Sequence, residues 1–177
     1  IGGGAKGLAG ELALAGNTTW DGSQISAGGT GKIKNETGAV FSTSADGTIA
    51  NSGSAVFLNQ GTFLKSGGAT GVTQIQARFE NSGTVNVNSG KLQLSGGGKN
   101  SANAAIIVGA AGQLEISSDW ELSVNSELKG DGIGRLMNGT YQKSIGGTTT
   151  VEVAFTNNGG LHVAAGAIVF ASTFANN

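Results

Sequence analysis

The chain reads as all-β, a parallel solenoid in which short strands stack coil upon coil. Three observations predict this. Apolar residues alternate with period two in short runs, an apolar-x-Asn unit recurs along the chain, and 33 glycines accompany no proline in 177 residues. Alternation over four or five residues marks a strand buried on one face. Glycine and asparagine between strands suit sharp corners, because both tolerate left-handed backbone. Lack of proline leaves every backbone N–H free to enter a ladder.

The elements follow in order. "GELALAGNTTW" ends at Trp20 and is answered by "GQLEISSDW" ending at Trp120. "GTGKIKN" (29–35) matches "GIGRLMN" (132–138), and "NQGTFLKSGG" (59–68) matches "NGTYQKSIGG" (138–147). "FENSGTVNVNSGKLQLSGGG" from Phe79 shares its skeleton with "FTNNGGLHVAAGAIVFAS" from Phe155. Together these describe one and a half copies of a supercycle of about 100 residues. Val85, Val87, Leu92 and Leu94 are expected to point inward, and Leu161/Val163 and Ile168/Phe170 repeat their pattern. The apolar-x-Asn unit places Asn35, Asn51, Asn59, Asn81, Asn138 and Asn157 as structural corner residues, and Asn176 ends a seventh copy. Asn59, Asn81 and Asn157 are expected at equivalent corners of different coils. A solenoid is favoured over an antiparallel sandwich because stacked corner asparagines can hydrogen-bond up the stack.

Composition excludes several function classes. Charged residues make up 12% with a net charge of −1, and only Arg78 and Arg135 could fork a phosphate, so no nucleic-acid partner is expected. With no cysteine there is neither disulfide nor thiolate metal site. The longest apolar stretch, Ala104 to Ala111, is too short for a membrane span.

Candidate chemistry is sparse. Glu115, Asp119, Glu121, Glu127 and Asp131 form the densest acidic run. Paired carboxylates could serve glycoside hydrolysis, but acidic residues on outward strand faces ordinarily keep a β surface soluble; the run is not expected to converge. The sole histidine, His162, alternates outward and has no companion ligand. Trp20 and Trp120 occupy equivalent positions in the supercycle and are read as interior or corner plugs, with glycan stacking as the second option. "GGTGKIKN" (28–35) lacks the Gly-Lys-Ser/Thr ending of a phosphate loop. "GDGIG" (130–134) is one copy of what a stacked calcium roll needs many times. Thr148–Thr150 is the one threonine cluster, so no regular ice-binding array is expected. No catalytic residue, metal or cofactor is expected.

The stretches "TTWDGSQISAGGTGKIKN", "NQGTFLKSGGATGVTQI" and "FENSGTVNVNSGKLQLSGGG" resemble repeats of bacterial surface proteins built as right-handed parallel β-helices. Autotransporter passengers and filamentous-haemagglutinin-like adhesins are among these. The resemblance implies a single right-handed parallel β-helix (β-solenoid) over residues 1–177. Roughly eight coils would make a rod on the order of 40 Å long. It implies an extracellular or cell-surface location and a structural or adhesive role, the rod presenting a binding surface. The expected partners are a host or neighbouring-cell surface or an extracellular polysaccharide. A carbohydrate-binding or polysaccharide-cleaving β-helix is the alternative. The chain opens on "IGGGAKG", without the regions of a signal peptide, and both opens and stops inside repeat units. It is therefore expected to lack a cap of its own, to belong to a longer array, and to be open to head-to-tail self-association.

Overall fold

In the computed structural model, which describes residues 1–67 and 71–177, the chain forms 23 strands with no helix among those residues. Gly68, the end of one repeated motif, lies outside the described residues. The strands pair in parallel and wind as a β-solenoid of about eight coils, each coil offering three faces. The first face stacks Lys6–Leu8, Ile25–Gly29, Gly47–Gly53, Val72–Ile75 and their successors up to Phe174–Asn176. The second is an eight-stranded sheet from Glu11–Leu14 to Gly160–Val163. The third runs from Asn17–Trp20 through Val40–Thr43 and Thr62–Lys65 to Ala167–Phe170. Two long strands, Thr84–Leu94 and Ala105–Ile116, turn the corner from the third face to the first without a break; their pairing shifts register between Val87 and Ser89.

Alternation dictates what each face buries. Val85, Val87, Leu92 and Leu94 are fully buried, as their period-two spacing predicts, and Asn86, Asn88, Lys91 and Gln93 face out. The rows inside are continuous. On the second face Ile33, Phe57 and Phe79 lie in register. Phe57 and Phe79 stack at 5.3 Å, with Phe41 and Phe63 of the third face packed edge-on around them. Next in that row is Gly98, then Trp120. The indole leans over the missing side chain and stacks on Phe79 at 6.5 Å, although two coil steps at about 4.8 Å separate their strands. At either end the rows open: Leu161 and Val163 are exposed, and Ile1, Leu8, Leu12, Ile168, Phe170 and Phe174 are only partly buried.

The supercycle lands on the solid in an unexpected way. Trp20 closes a third-face strand, whereas Trp120 opens a second-face strand. Thr62–Lys65 lies on the third face and its match Thr140–Lys143 on the second. Lys32–Asn35 and Arg78–Asn81 lie on the second, whereas Arg135 and Leu136, which match Lys32 and Ile33, and Ala154–Asn157, which matches Arg78–Asn81, lie on the first. Each second copy thus falls one face early, and the two tryptophans are not equivalent. The physical reason is that all three faces make the same demand, an inward pair followed by a tight corner. The repeating unit is a strand with its corner, free to serve any face.

Candidate functional site

The most ordered polar feature is internal. Asn35, Asn59, Asn81 and Asn100 occupy one inward row at the end of the second face, all buried. Each carboxamide donates from Nδ2 to Oδ1 of the next: Asn35 to Asn59 at 2.7 Å, Asn59 to Asn81 at 2.8 Å, Asn81 to Asn100 at 2.7 Å. The same nitrogens also donate to corner carbonyls, those of Thr62, Thr84 and Ala105. A corner buries backbone carbonyls that cannot all enter a ladder, and this row satisfies them. The row is bounded by Leu14 below and Leu122 above. Because Leu14 offers no donor, Oδ1 of Asn35 is buried without a partner.

The six predicted corner asparagines therefore divide. Asn35, Asn59 and Asn81 share the ladder. Asn157 stands in a first-face row, donating to Asn176 at 2.6 Å, and so is not equivalent to Asn59 and Asn81. Asn51 and Asn138 act singly, Asn51 near the end of the first-face strand Gly47–Gly53 and Asn138 just after Ile133–Leu136. Oδ1 of Asn51 accepts from the N–H groups of Gly53 and Ala55, both at 3.1 Å, and Oδ1 of Asn138 accepts from Gly139 N–H at 2.8 Å. Asn100 escapes the apolar-x-Asn search because Gly98 stands where an apolar residue does elsewhere.

Two buried lysines also escape notice in the sequence. Nζ of Lys65 donates to the Ala45 carbonyl at 3.2 Å, which also accepts from Thr73 Oγ1 at 3.0 Å. Nζ of Lys143 donates to the Ser123 carbonyl at 3.1 Å, shared with Ser126 Oγ at 3.1 Å and Thr149 Oγ1 at 3.3 Å. Burial pushes both ammonium pKa values below the ordinary lysine range, with Asp46 working the other way at Lys65. The matched "Lys-Ser" motifs are the sequence signal, and they build the same carbonyl clamp on two different faces.

The outer surfaces differ in charge. The second face carries ion pairs: Glu11–Lys32 at 3.2 Å, Arg78–Glu80 at 3.0 Å and Glu80–Lys99 at 3.5 Å. On the first face Glu115 pairs with Lys91 at 2.7 Å and approaches Arg135 at 3.9 Å. The third face presents Asn17 and Thr19, Val40 and Ser42, Thr62 and Leu64, Thr84 and Asn86, Ala105 and Ile107, none of them charged. Its first charged outward pair is Glu127–Lys129, at 2.6 Å.

The predicted acidic run spreads over the prism. Glu115 projects from the first face, Glu121 from the second and Glu127 from the third, while Asp119 and Asp131 stand at corners. Asp119 and Glu121 do share one depression, of about 220 Å³, with Arg78, Gly98, Trp120 and Gln142. Oδ1 of Asp119 is engaged there by Thr140 N–H at 2.9 Å. Trp20 and Trp120 lie inside rather than outside, 0% and 1% exposed, which leaves neither ring a face on which a sugar could stack. The indole N–H of Trp20 is bonded to the Ser23 carbonyl at 2.7 Å. His162 is exposed beside Gln142. The 28–35 segment turns from strand to strand, and Thr149 points inward between outward Thr148 and Thr150. Among the described residues no group of three or more acidic or histidine side chains is arranged to hold a metal ion.

Searches against protein-family models, curated proteins and solved structures found no match for this chain.

Proposed function

We propose that this chain is a structural and adhesive segment of a bacterial cell-surface or secreted protein, a stiff extracellular β-helix rod of the autotransporter-passenger or haemagglutinin-like kind. The observation that carries the reading is the filled interior. Apolar rows and an asparagine ladder occupy the space between the three faces, so ligands meet this rod on its outside. A parallel sheet on every side, tied by side chains coil to coil, makes a spacer that resists bending. The uncharged stretch of the third face, from Asn17–Trp20 to the strand that starts at Ala105, is the surface it offers to a host cell, a neighbouring cell or an extracellular polysaccharide. Open rows at the two ends let copies, or further coils, extend the ladder head to tail.

The test is adhesion by chain-coated beads on cells and on a panel of polysaccharides. Binding should fall when Leu64 and Ile107 are replaced by lysine and hold when Lys34 and Lys99 are exchanged for glutamine. A second reading, a carbohydrate-binding or polysaccharide-cleaving β-helix, draws support from the depression holding Arg78, Asp119, Glu121 and Gln142. Release of reducing ends, abolished by Glu121→Gln, would replace the first reading with the second.

A further inference from the structure

We propose that Asn138 is a site of spontaneous self-modification, at which the backbone nitrogen of Gly139 attacks the Asn138 carboxamide and leaves the rod with a new carboxylate. Asn138 is exposed on the corner that follows Ile133–Leu136. The Gly139 N–H donates to its Oδ1 at 2.8 Å, which brings the nitrogen beside Cγ, the atom it must reach. Such a near-attack arrangement replaces a costly search of conformations. Both flanks are anchored, Met137 N–H on the Ile116 carbonyl at 2.7 Å and Thr140 N–H on Asp119 Oδ1 at 2.9 Å. Gly139 carries no side chain to shield its nitrogen and sits at φ +85°.

The molecule contains its own control. Asn158–Gly159 is the same dipeptide, yet Oδ1 of Asn158 is held by Nδ2 of Asn177 at 2.7 Å, and Gly159 N–H turns to Asn157 Oδ1 at 3.4 Å. Nitrogen and carboxamide are thus directed away from each other there.

The step balances with water alone. The Gly139 nitrogen gives its proton to hydroxide or water and bonds to Cγ of Asn138. The Cγ–Nδ2 bond breaks, ammonia departs, and a five-membered succinimide closes. Water then opens the ring at either carbonyl, giving aspartate or its β-linked isomer. The β-linked product lengthens the main chain at Gly139, where even a Cβ would stand 2.4 Å from the Ser118 carbonyl carbon. The new charge also lies close to Asp119, whose carboxylate holds Thr140. Conversion therefore loosens the coil that starts at Thr140.

The experiment is peptide mapping of the folded protein during incubation at neutral and mildly alkaline pH, with detection of β-linked aspartate. Asn138 should convert roughly tenfold or more faster than Asn158, the rate should rise with pH, and the two sites should converge in denaturant. Amide exchange over 140–163 should increase in step with conversion, and Asn138→Gln should abolish that increase. Equal or faster conversion at Asn158 in the folded protein would overturn the proposal, as would an Asn138 that stays intact while the denatured chain converts.

Discussion

At the scale of single residues, what matters is whether a polar atom inside the prism finds a partner. Asn81 both accepts from Asn59 and donates to Asn100. Asn81→Ala orphans Oδ1 of Asn100, while Nδ2 of Asn59 keeps the Gly61 and Thr84 carbonyls, and the change is expected to cost about 1–3 kcal/mol. Asn51→Ala, at a half-buried corner where water can replace the carboxamide, should cost about 1 kcal/mol or less. Urea melts of the two variants check the ranking. The buried lysines are a different case. Ser123 carbonyl keeps Ser126 and Thr149 as donors when Lys143 is removed, so Lys143→Met strands no acceptor. That change should be neutral to stabilising by up to about 2 kcal/mol.

The pH dependence follows with a definite sign. Lys65 and Lys143 have folded-state pKa values lowered by burial, so below them the folded chain carries a charge it disfavours. Stability should therefore rise as pH climbs from the lowered values towards the unfolded lysine value of about 10.4. The buried Tyr141, held above its ordinary value by desolvation, acts oppositely only beyond about pH 10, where the unfolded phenol ionises. Melting temperatures should climb for the native chain as pH approaches the unfolded lysine value of about 10.4, and that climb should flatten when both lysines are methionine.

At the scale of elements, each strand contributes an inward pair, and the pair must fit the coils above and below. Val87 is fully buried and Asn86, its neighbour, faces out. Val87→Asp places an unpaired charge among apolar rows and should cost about 3 kcal/mol or more, whereas Asn86→Asp should stay within about 0.5 kcal/mol. Equal melting points would contradict the assignment of faces. Gly98 shows the complementary constraint. A Cβ there would meet the Phe79 carbonyl oxygen at 1.9 Å and Cζ3 of Trp120 at 3.0 Å. Gly98→Ala should therefore destabilise by about 1–3 kcal/mol through overpacking, read as a lower urea midpoint with an unchanged slope.

At the scale of the whole molecule, stability is a sum over neighbouring coils, because each coil touches only the next. Second-face strands from Lys32–Asn35 to Trp120–Leu122 have buried rows and ladder neighbours on both sides. The last coil leaves Leu161 and Val163 open. Amide exchange should accordingly be slowest over residues 56–67 and 71–122 and fastest at both ends. Protection spread evenly along the rod would show that the end coils are covered.

The sequence by itself determined the period, the inward residues and the solenoid. Val85 to Leu94 announce their buried side because alternation is local: a strand needs no knowledge of its neighbours to point every second residue the same way. It also carried the asparagine motif, since a corner has one short-range chemical need. Which face each motif serves was decided only in three dimensions. The three faces accept the same inward pair, so Trp20 and Trp120 read alike and then settle on different sides. Asn100 joined the ladder by register, not by motif. Tertiary structure alone also revealed that Lys65 and Lys143 are interior, because a lysine at the end of a strand reads as a solvated charge until the carbonyl that holds it, 20 residues earlier in the chain, is in place.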